Sequence, residues 1–427
     1  MHKRLTDGMV YEKGRFRKKD LVIANGVVRN AAEFDFSIGA GETISCATSF
    51  ILPGFVDVHV HLREPGFSFK ETIATGTAAA ARAGVTQVCS MPNLAPPPDD
   101  LPHLMVQLAA IQKDAAVRVT PYGCITRGQA GSGALADMEA MAPYVAGYSD
   151  DGRGVQPDEV MEAAMRTAAR LQKPIVAHCE DNRLLRPGGC IHDGRYAAAH
   201  GLVGISSKSE WRQVERDLKL AAKTGCRYHV CHISTKESVA LIREAKRAGV
   251  AVSCETAPHY LLLCEDDLQD EGRFKMNPPL RTAADRDALL QGLCDGTIDV
   301  IATDHAPHTA EEKAKGLAGS LMGIVGLETA FPLLYTHLVL PRVLTLEELV
   351  EKMCLAPRRL FGLPGGCEEG QQADLAVLNL DAEYIIDPNK FASMGRSTPF
   401  AGWPVRAKNR MTLVKGSVVW QESTQEN

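Results

Sequence analysis

The sequence predicts an α/β protein: a (β/α)8 barrel carrying a small β domain built from both chain ends. Three observations predict it. Through the middle of the chain, short apolar segments alternate about eight times with helical stretches rich in Ala, Leu, Arg and Glu, and eight such βα units close a parallel barrel. The first fifty or so residues are β-prone segments broken by Asn-Gly and Gly turn signals. The last sixty or so resemble them.

In chain order, DLVIANGVV and ETISCATSFILPG open the β domain, expected over 1–52. The barrel, expected over 53–362, takes its strands from GFVDVHV, VTQVCSM, VRVTPYG, YVAGYSD, PIVAHCE, CRYHVCHIS, VAVSCE and IDVIATD. ADLAVLNLD, EYIID and MTLVKGSVVW return to the β domain over 363–427.

Composition narrows the function. With 45% apolar and 23% charged residues in 427, the chain reads as globular, and disordered and fibrous classes are excluded. Lys plus Arg is 47 against 52 Asp plus Glu, and no basic block offers a phosphate-tracking stripe, so nucleic acid is not an expected partner. No apolar run is long enough for a membrane span, and the N-terminal residues lack a signal-peptide stretch. A cytoplasmic location is expected. The 12 cysteines are scattered singly with no CxxC pair, which reads as reduced thiols.

Barrels of this type carry their chemistry at the C-terminal strand ends. Strand one ends in Asp57-Val58-His59-Val60-His61, and period-two alternation puts His59 and His61 on one face as a chelate. Strand five ends at His178, strand six at His229 to His232, and strand eight at Asp304-His305-Ala306-Pro307-His308. His229 and His232 are three apart and should point to opposite faces, so only one is a ligand. His232, nearer the strand end, is preferred, and His229 is expected to pack against the helical layer. Strand four ends in Ser149-Asp150-Asp151-Gly152, which on local sequence reads as an ordinary turn. Four imidazoles and two carboxylates exceed what one four-coordinate zinc uses, whereas two metals sharing a carboxylate and a hydroxide would use all of them. Arg63, two residues beyond His61, offers a planar fork matched to a carboxylate. EEKAK, residues 311–315, reads as a solvated helix face.

In this order, PGFVDVHVHLREPG, MPN, SDDGRGVQ, AHCED, CHISTKESV, MNPPLR and IATDHAPH resemble the cyclic amidohydrolase superfamily and, within it, the bacterial dihydroorotases. The resemblance runs over nearly the whole chain. It implies a distorted TIM (β/α)8 barrel with a β-sandwich from both chain ends. It also implies zinc-dependent, reversible cyclisation of N-carbamoyl-L-aspartate to L-dihydroorotate in pyrimidine biosynthesis. Two zinc ions per subunit are implied, one on His59, His61 and Asp304, the other on His178 and His232, bridged by Asp151 and a hydroxide. Many relatives bridge with a carbamylated lysine, but GYSDDG has no lysine at that place. Asp304 is implied as general acid/base. Arg63, Asn93 and His308 are implied to grip the substrate carboxylate beside His61, and Asn277, Met322 and Gly323 to read the ring amide edges. Two departures stand out: Leu94-Ala95 replace the usual Thr and polar residue after Asn93, and the loop before Gly323 lacks the usual Phe-Gly ending.

Two other functions compete. A hydantoinase or allantoinase would share the metals, but the Arg63/Asn93 pair points to an anionic ring substituent. An inactive structural partner of aspartate carbamoyltransferase would lack ligands, and all six are present. A homodimer, and association with aspartate carbamoyltransferase, are the protein partners the resemblance brings in. The segment from Thr309 to Met322 is expected to close over the ring as a lid.

Overall fold

Asn-Gly and Lys-Gly pairs between Val/Ile-rich runs set the first hairpins. β1 (His2–Glu12) and β2 (Arg15–Ala24) are antiparallel across Lys13-Gly14, and β3 (Val27–Arg29) follows Asn25-Gly26. All four turn residues have positive φ, the backbone that lets a two-residue turn follow the twist of its strands. β4 (Gly41–Ser45) and β5 (Phe50–Pro53) run parallel to β1. The computed structural model describes residues 2–31, 34 and 41–423, so the outermost residues of the expected β domain lie outside the described residues.

β6 (Phe55–Val60), β7 (Val85–Ser90) and β8 (Arg118–Pro121) form one parallel group. β9 (Ile175–Ala177) begins the other group; β10 (Ile191–His192) and β11 (Gly204–Ile205) pair apart from it. β12 (Tyr228–Val230), β13 (Val252–Thr256) and β14 (Val300–Ile301) complete it in the order β14-β13-β12-β9. The expected fourth strand, YVAGYSD, is reduced to parallel bridges from Tyr148 to Gly123 and Ile175. Its end turns away because Asp150 accepts bonds from the loop after β8. A bridge from Val60 to His305 closes the ring.

β15 (Leu375–Ile385), β16 (Pro404–Val414) and β17 (Ser417–Gln421) extend the N-terminal sheet through β5, so both chain ends share one sheet in the order β17-β16-β15-β5-β1-β2-β3, with β4 on β1.

Local sequence sets the helix limits. Thr72 and Thr75 form a reciprocal cap at the start of Ile73–Arg82, and Gly225, at φ +67°, ends Ser207–Thr224. On Lys236–Arg247 the buried Val239, Ile242 and Ala245 form one stripe toward the barrel. Val56, Val58, Cys89, Met91, Tyr122, Val176, Cys231 and Val300 fill the barrel interior, with Ala356 and Phe361 against them. A second cluster covers the outer strand faces and continues into the β domain through Leu5, Ile51 and Leu375. Each such side chain contributes roughly 1.5–3 kcal/mol by leaving water. The apolar plug at the lower end leaves the polar strand ends as the mouth.

Candidate active site

Backbone irregularity, more than alternation, aims the site residues. The β6/β7 register shifts between Asp57 and Val60, and the rings of His59 and His61 end with centroids 5.4 Å apart. Arg63, His232 and Asp304 sit at φ +61°, +28° and +49°. Non-glycine residues in this region cost of order 1–3 kcal/mol and persist where the surroundings over-determine them. Thr303 helps to do so, donating from its N and Oγ1 to Asp57. The left-handed turn at His232 corrects the expectation for its neighbour. His229 lies inside the barrel, not against the helices: it bonds Glu255 at 3.1 Å and Ser253 at 2.8 Å. His232 reaches the mouth because the turn breaks period two.

Asp151 stands among the four imidazoles. Its Oδ1 lies 3.4 Å from His59 Nε2, 3.5 Å from His232 Nε2 and 3.9 Å from His178 Nδ1, and its Oδ2 lies 3.6 Å from His61 Nε2. Asp304 Oδ1 is 3.0 Å from His61 Nε2 and 3.5 Å from His59 Nε2. All six side chains are buried. His59 Nε2 and Asp151 Oδ1 have no hydrogen-bond partner, although buried polar atoms ordinarily have one. His59/His61/Asp151 and Asp151/His178/His232 each hold their ligand atoms within 4.8 Å of one another. An imidazole nitrogen and a carboxylate oxygen facing each other without partners, inside a ring of further imidazoles and a second carboxylate, fit metal cations.

Charge follows from these contacts. Burial raises the Asp151 carboxyl, but His59 and the other imidazoles around it outweigh burial and hold it well below the usual range. For Asp304 the same opposition, with His59 and His61 prevailing over burial, leaves the carboxyl at about 2. Asp150 is the opposite case: burial prevails and raises it, and its oxygens are occupied by the N–H groups of Ile125, Thr126 and Gly131 and by the Thr126 hydroxyl.

The other expected residues lie around this cluster. Arg63 donates from Nε to Pro307 O at 3.1 Å, with its NH2 3.4 Å from His308 Nε2. Asn93 donates to Asp151 O at 2.8 Å. His308 is pushed down to about 4 by burial and by Arg63 and Lys70, and its Nε2 lies 2.8 Å from Met322 O. Asn277 donates to Glu180 at 3.2 and 3.3 Å. Gly323, at φ +137°, donates its N–H to Lys275 O, and a Cβ there would meet Ala306 O at 2.6 Å. EEKAK is a solvated face only in part: Glu311, Ala314 and Lys315 are exposed, but Glu312 and Lys313 turn inward. Glu312 pairs with Lys70 at 2.9 Å, and Lys313 is buried, donating to Lys275 O and Leu321 O. A cavity of about 430 Å³ lined by His308, Thr309, Lys313, Arg273 and Met394 opens beside them.

A family model described as dihydro-orotase-like matches residues 48–238. A protein named dihydroorotase from Bacillus cytotoxicus is 50% identical over 97% of this chain and 96% of its own length. Another from Anoxybacillus flavithermus is 49% identical over 98% of both. This chain belongs to the dihydroorotase family. Among solved structures, the L-hydantoinase from Arthrobacter aurescens superposes with a TM-score of 0.86 at 26% identity, covering 99% of this chain and 96% of its own. A dihydropyrimidinase from Brevibacillus agri shares the fold, with a TM-score of 0.84 at 20% identity over 99% of this chain and 95% of its own. The protein is therefore a cyclic amide hydrolase on the expected barrel, in a metal-dependent family, and its His/Asp groups are suited to metal. Among the described residues no helix is long and apolar enough to cross a membrane.

The dihydroorotase site also holds residues that motif reading passed over. Glu255, next to last in β13, bonds His59 Nδ1 at 2.6 Å. Glu180 lies 3.6 Å from His178 Nε2. His259, just after β13, is held down to about 4 by burial and so is neutral. Lys70 reaches His308 Nδ1 at 3.3 Å. Glu180 and Glu255 carry the same signal that singled out the histidines, a polar residue closing an apolar strand; Lys70 has no such signal.

Proposed function

We propose that this dihydroorotase-family enzyme closes N-carbamoyl-L-aspartate to L-dihydroorotate and reopens it, using two zinc ions. His59, His61 and Asp304 would hold one, His178 and His232 the other, with Asp151 shared. The observation that carries this reading is a buried Asp151 carboxylate within 3.9 Å of all four imidazoles. When bound, zinc supplies a water that ionises near pH 7, about nine units below bulk water, and a Lewis acid for the ring carbonyl.

The chain's own groups do the rest. Asp304, ionised at neutral pH, is an acceptor only. It takes the proton of the attacking water at Oδ1 and hands it to the ring nitrogen as the carbon–nitrogen bond breaks. In the closing direction it removes that proton from the attacking nitrogen and returns it to the departing water. Arg63 makes no ion pair among the described residues; its fork would bind the substrate carboxylate together with Asn93 and the neutral His308, beside His61. Asn277, Met322 and Gly323 would read the amide edges.

The division at 52/53 and 362/363 belongs to the same reading, supported by β5 ending at Pro53 and a helix ending at Phe361. So do a homodimer, association with aspartate carbamoyltransferase, and a cytoplasmic location, the last supported by 12 free cysteines. Light scattering with and without the transferase tests the assembly.

Metal analysis and a panel of dihydroorotate, hydantoin and allantoin test the function. Bound zinc and activity confined to dihydroorotate are expected. Comparable hydantoin turnover would favour a hydantoinase, and inactivity without metal a structural partner. Arg63→Lys should weaken dihydroorotate by roughly 1.5–3 kcal/mol, the value of hydrogen bonds to a charged group.

A further inference from the structure

The seventh barrel strand carries, next to last, a carboxylate that faces away from the substrate side. Glu255 has no exposed surface and lies beneath the His/Asp cluster. Its Oε1 is 2.6 Å from His59 Nδ1 and its Oε2 is 3.1 Å from His229 Nε2. His229 Nδ1 in turn lies 2.8 Å from Ser253 Oγ. The backbone N–H of His232 also points at Glu255 Oε1, at 3.4 Å.

One proton arrangement satisfies the whole chain. A carboxylate only accepts, so His59 Nδ1 and His229 Nε2 both donate to it. His229 Nδ1 then has a lone pair and accepts from the Ser253 hydroxyl. That leaves His59 Nε2, 3.4 Å from Asp151 and 3.5 Å from Asp304, as the atom that would present its lone pair to a bound metal. The other imidazoles lack such a partner among the described residues. His61 Nδ1 and His232 Nδ1 are unbonded, and His178 meets Glu180 only at 3.6 Å.

We propose that Glu255, oriented by His229, is a positioning residue that locks the tautomer and ring orientation of His59 for metal binding. The inference rests on the metal-centre reading above. A carboxylate behind a ligating imidazole raises its basicity and removes the cost of orienting it, and losing one ordinarily costs about 10–100-fold in metal affinity. This also accounts for a histidine deep in the barrel, where an apolar residue would pack without needing two partners.

The test is zinc competition against a chelator, using metal-stripped full-length protein, with thermal melting of the metal-free forms as a separate readout. Glu255→Gln keeps the shape and removes the charge; its dissociation constant for the zinc assigned to His59, His61 and Asp304 should rise about 10–100-fold. His229→Gln leaves Glu255 in place but loosens it, and should weaken zinc in the same direction by less. Glu255→Asp should recover part of the loss. Zinc affinity equal to wild type in Glu255→Gln and His229→Gln, with lowered melting temperatures, would overturn the proposal and make both residues merely structural. Wild-type protein that takes up no zinc would overturn the metal-centre reading itself, and the proposal with it.

Discussion

Asp150 and Asp151 are adjacent carboxylates with opposite surroundings. Asp150 is saturated by backbone donors from the loop after β8, whereas Asp151 has one oxygen with no bonded partner among imidazoles. Asp150→Ala should therefore strand the buried N–H groups of Ile125 and Thr126, each costing about 1–3 kcal/mol, while the Gly131 N–H keeps Thr126 Oγ1. Denaturant unfolding should register that loss while the protein that folds keeps its metal. Asp151→Ala should do the reverse, emptying chiefly the His178/His232 site, which would keep two protein ligands. Metal analysis of the two variants decides, and full occupancy in Asp151→Ala would move the shared ligand elsewhere. Because an aspartate is anionic without carbon dioxide, zinc alone should restore stripped enzyme, and added bicarbonate should change nothing. At the same scale, Asp304→Asn should lower kcat by at least about 10² with metal content preserved, the magnitude of general acid–base catalysis. A near-normal kcat with full metal would remove Asp304 from that role.

At the scale of elements, the segment from Thr309 to Met322 is more firmly held than its Gly, Ala and Lys content suggests. Thr309 and Glu312 cap the short helix Ala310–Lys313 reciprocally, Leu317 is buried with its N–H on Asp270, and Glu312 ties the segment to Lys70. Lys313 is the element's weak point. Burial, helped by Lys275, lowers its amine to about 7, against about 10.4 in an unfolded chain. Between those values the unfolded state binds the extra proton, so stability should rise with pH from about 7 to 10.4; below 7 the amine is charged in both states and the burial cost is fully present. Lys313→Met should flatten that rise relative to wild type. Urea unfolding across the window measures it, and equal slopes in the two proteins would show that Lys313 is not buried as described.

The whole molecule is joined where the β domain meets the barrel. Asp374, fully buried, accepts from Arg118 Nε at 2.7 Å and from the Lys415 N–H at 2.7 Å. Asn409 donates to Arg82 O at 3.1 Å and the Thr412 hydroxyl to Ala81 O at 2.6 Å. The apolar cluster runs through this joint without a break. Asp374→Ala leaves Arg118 with Gln372 alone and the Lys415 N–H without its carboxylate, and should cost about 1–3 kcal/mol. Since the core is shared, barrel and β domain should unfold together, with near- and far-ultraviolet circular dichroism tracing one shifted transition. A split into two transitions, with the barrel's unmoved, would show that the units fold independently.

The barrel, the shared sheet and the identities of the clustered residues were legible in the sequence because they rest on local properties: apolar alternation, turn dipeptides and a polar residue closing each apolar run. His59, His61, His178 and Asp304 each close an apolar run in the sequence. What local pattern could not decide was direction. Two adjacent aspartates differ only in which one meets the N–H groups of Ile125 and Thr126, which belong to another strand's loop. His229 and His232 both turn inward because a left-handed residue interrupts the alternation, and that conformation is enforced by neighbours distant in sequence. Lys313 and Glu255 are buried for the same reason: a charged side chain leaves water only where distant segments supply its partners, and those partners meet only in the folded chain.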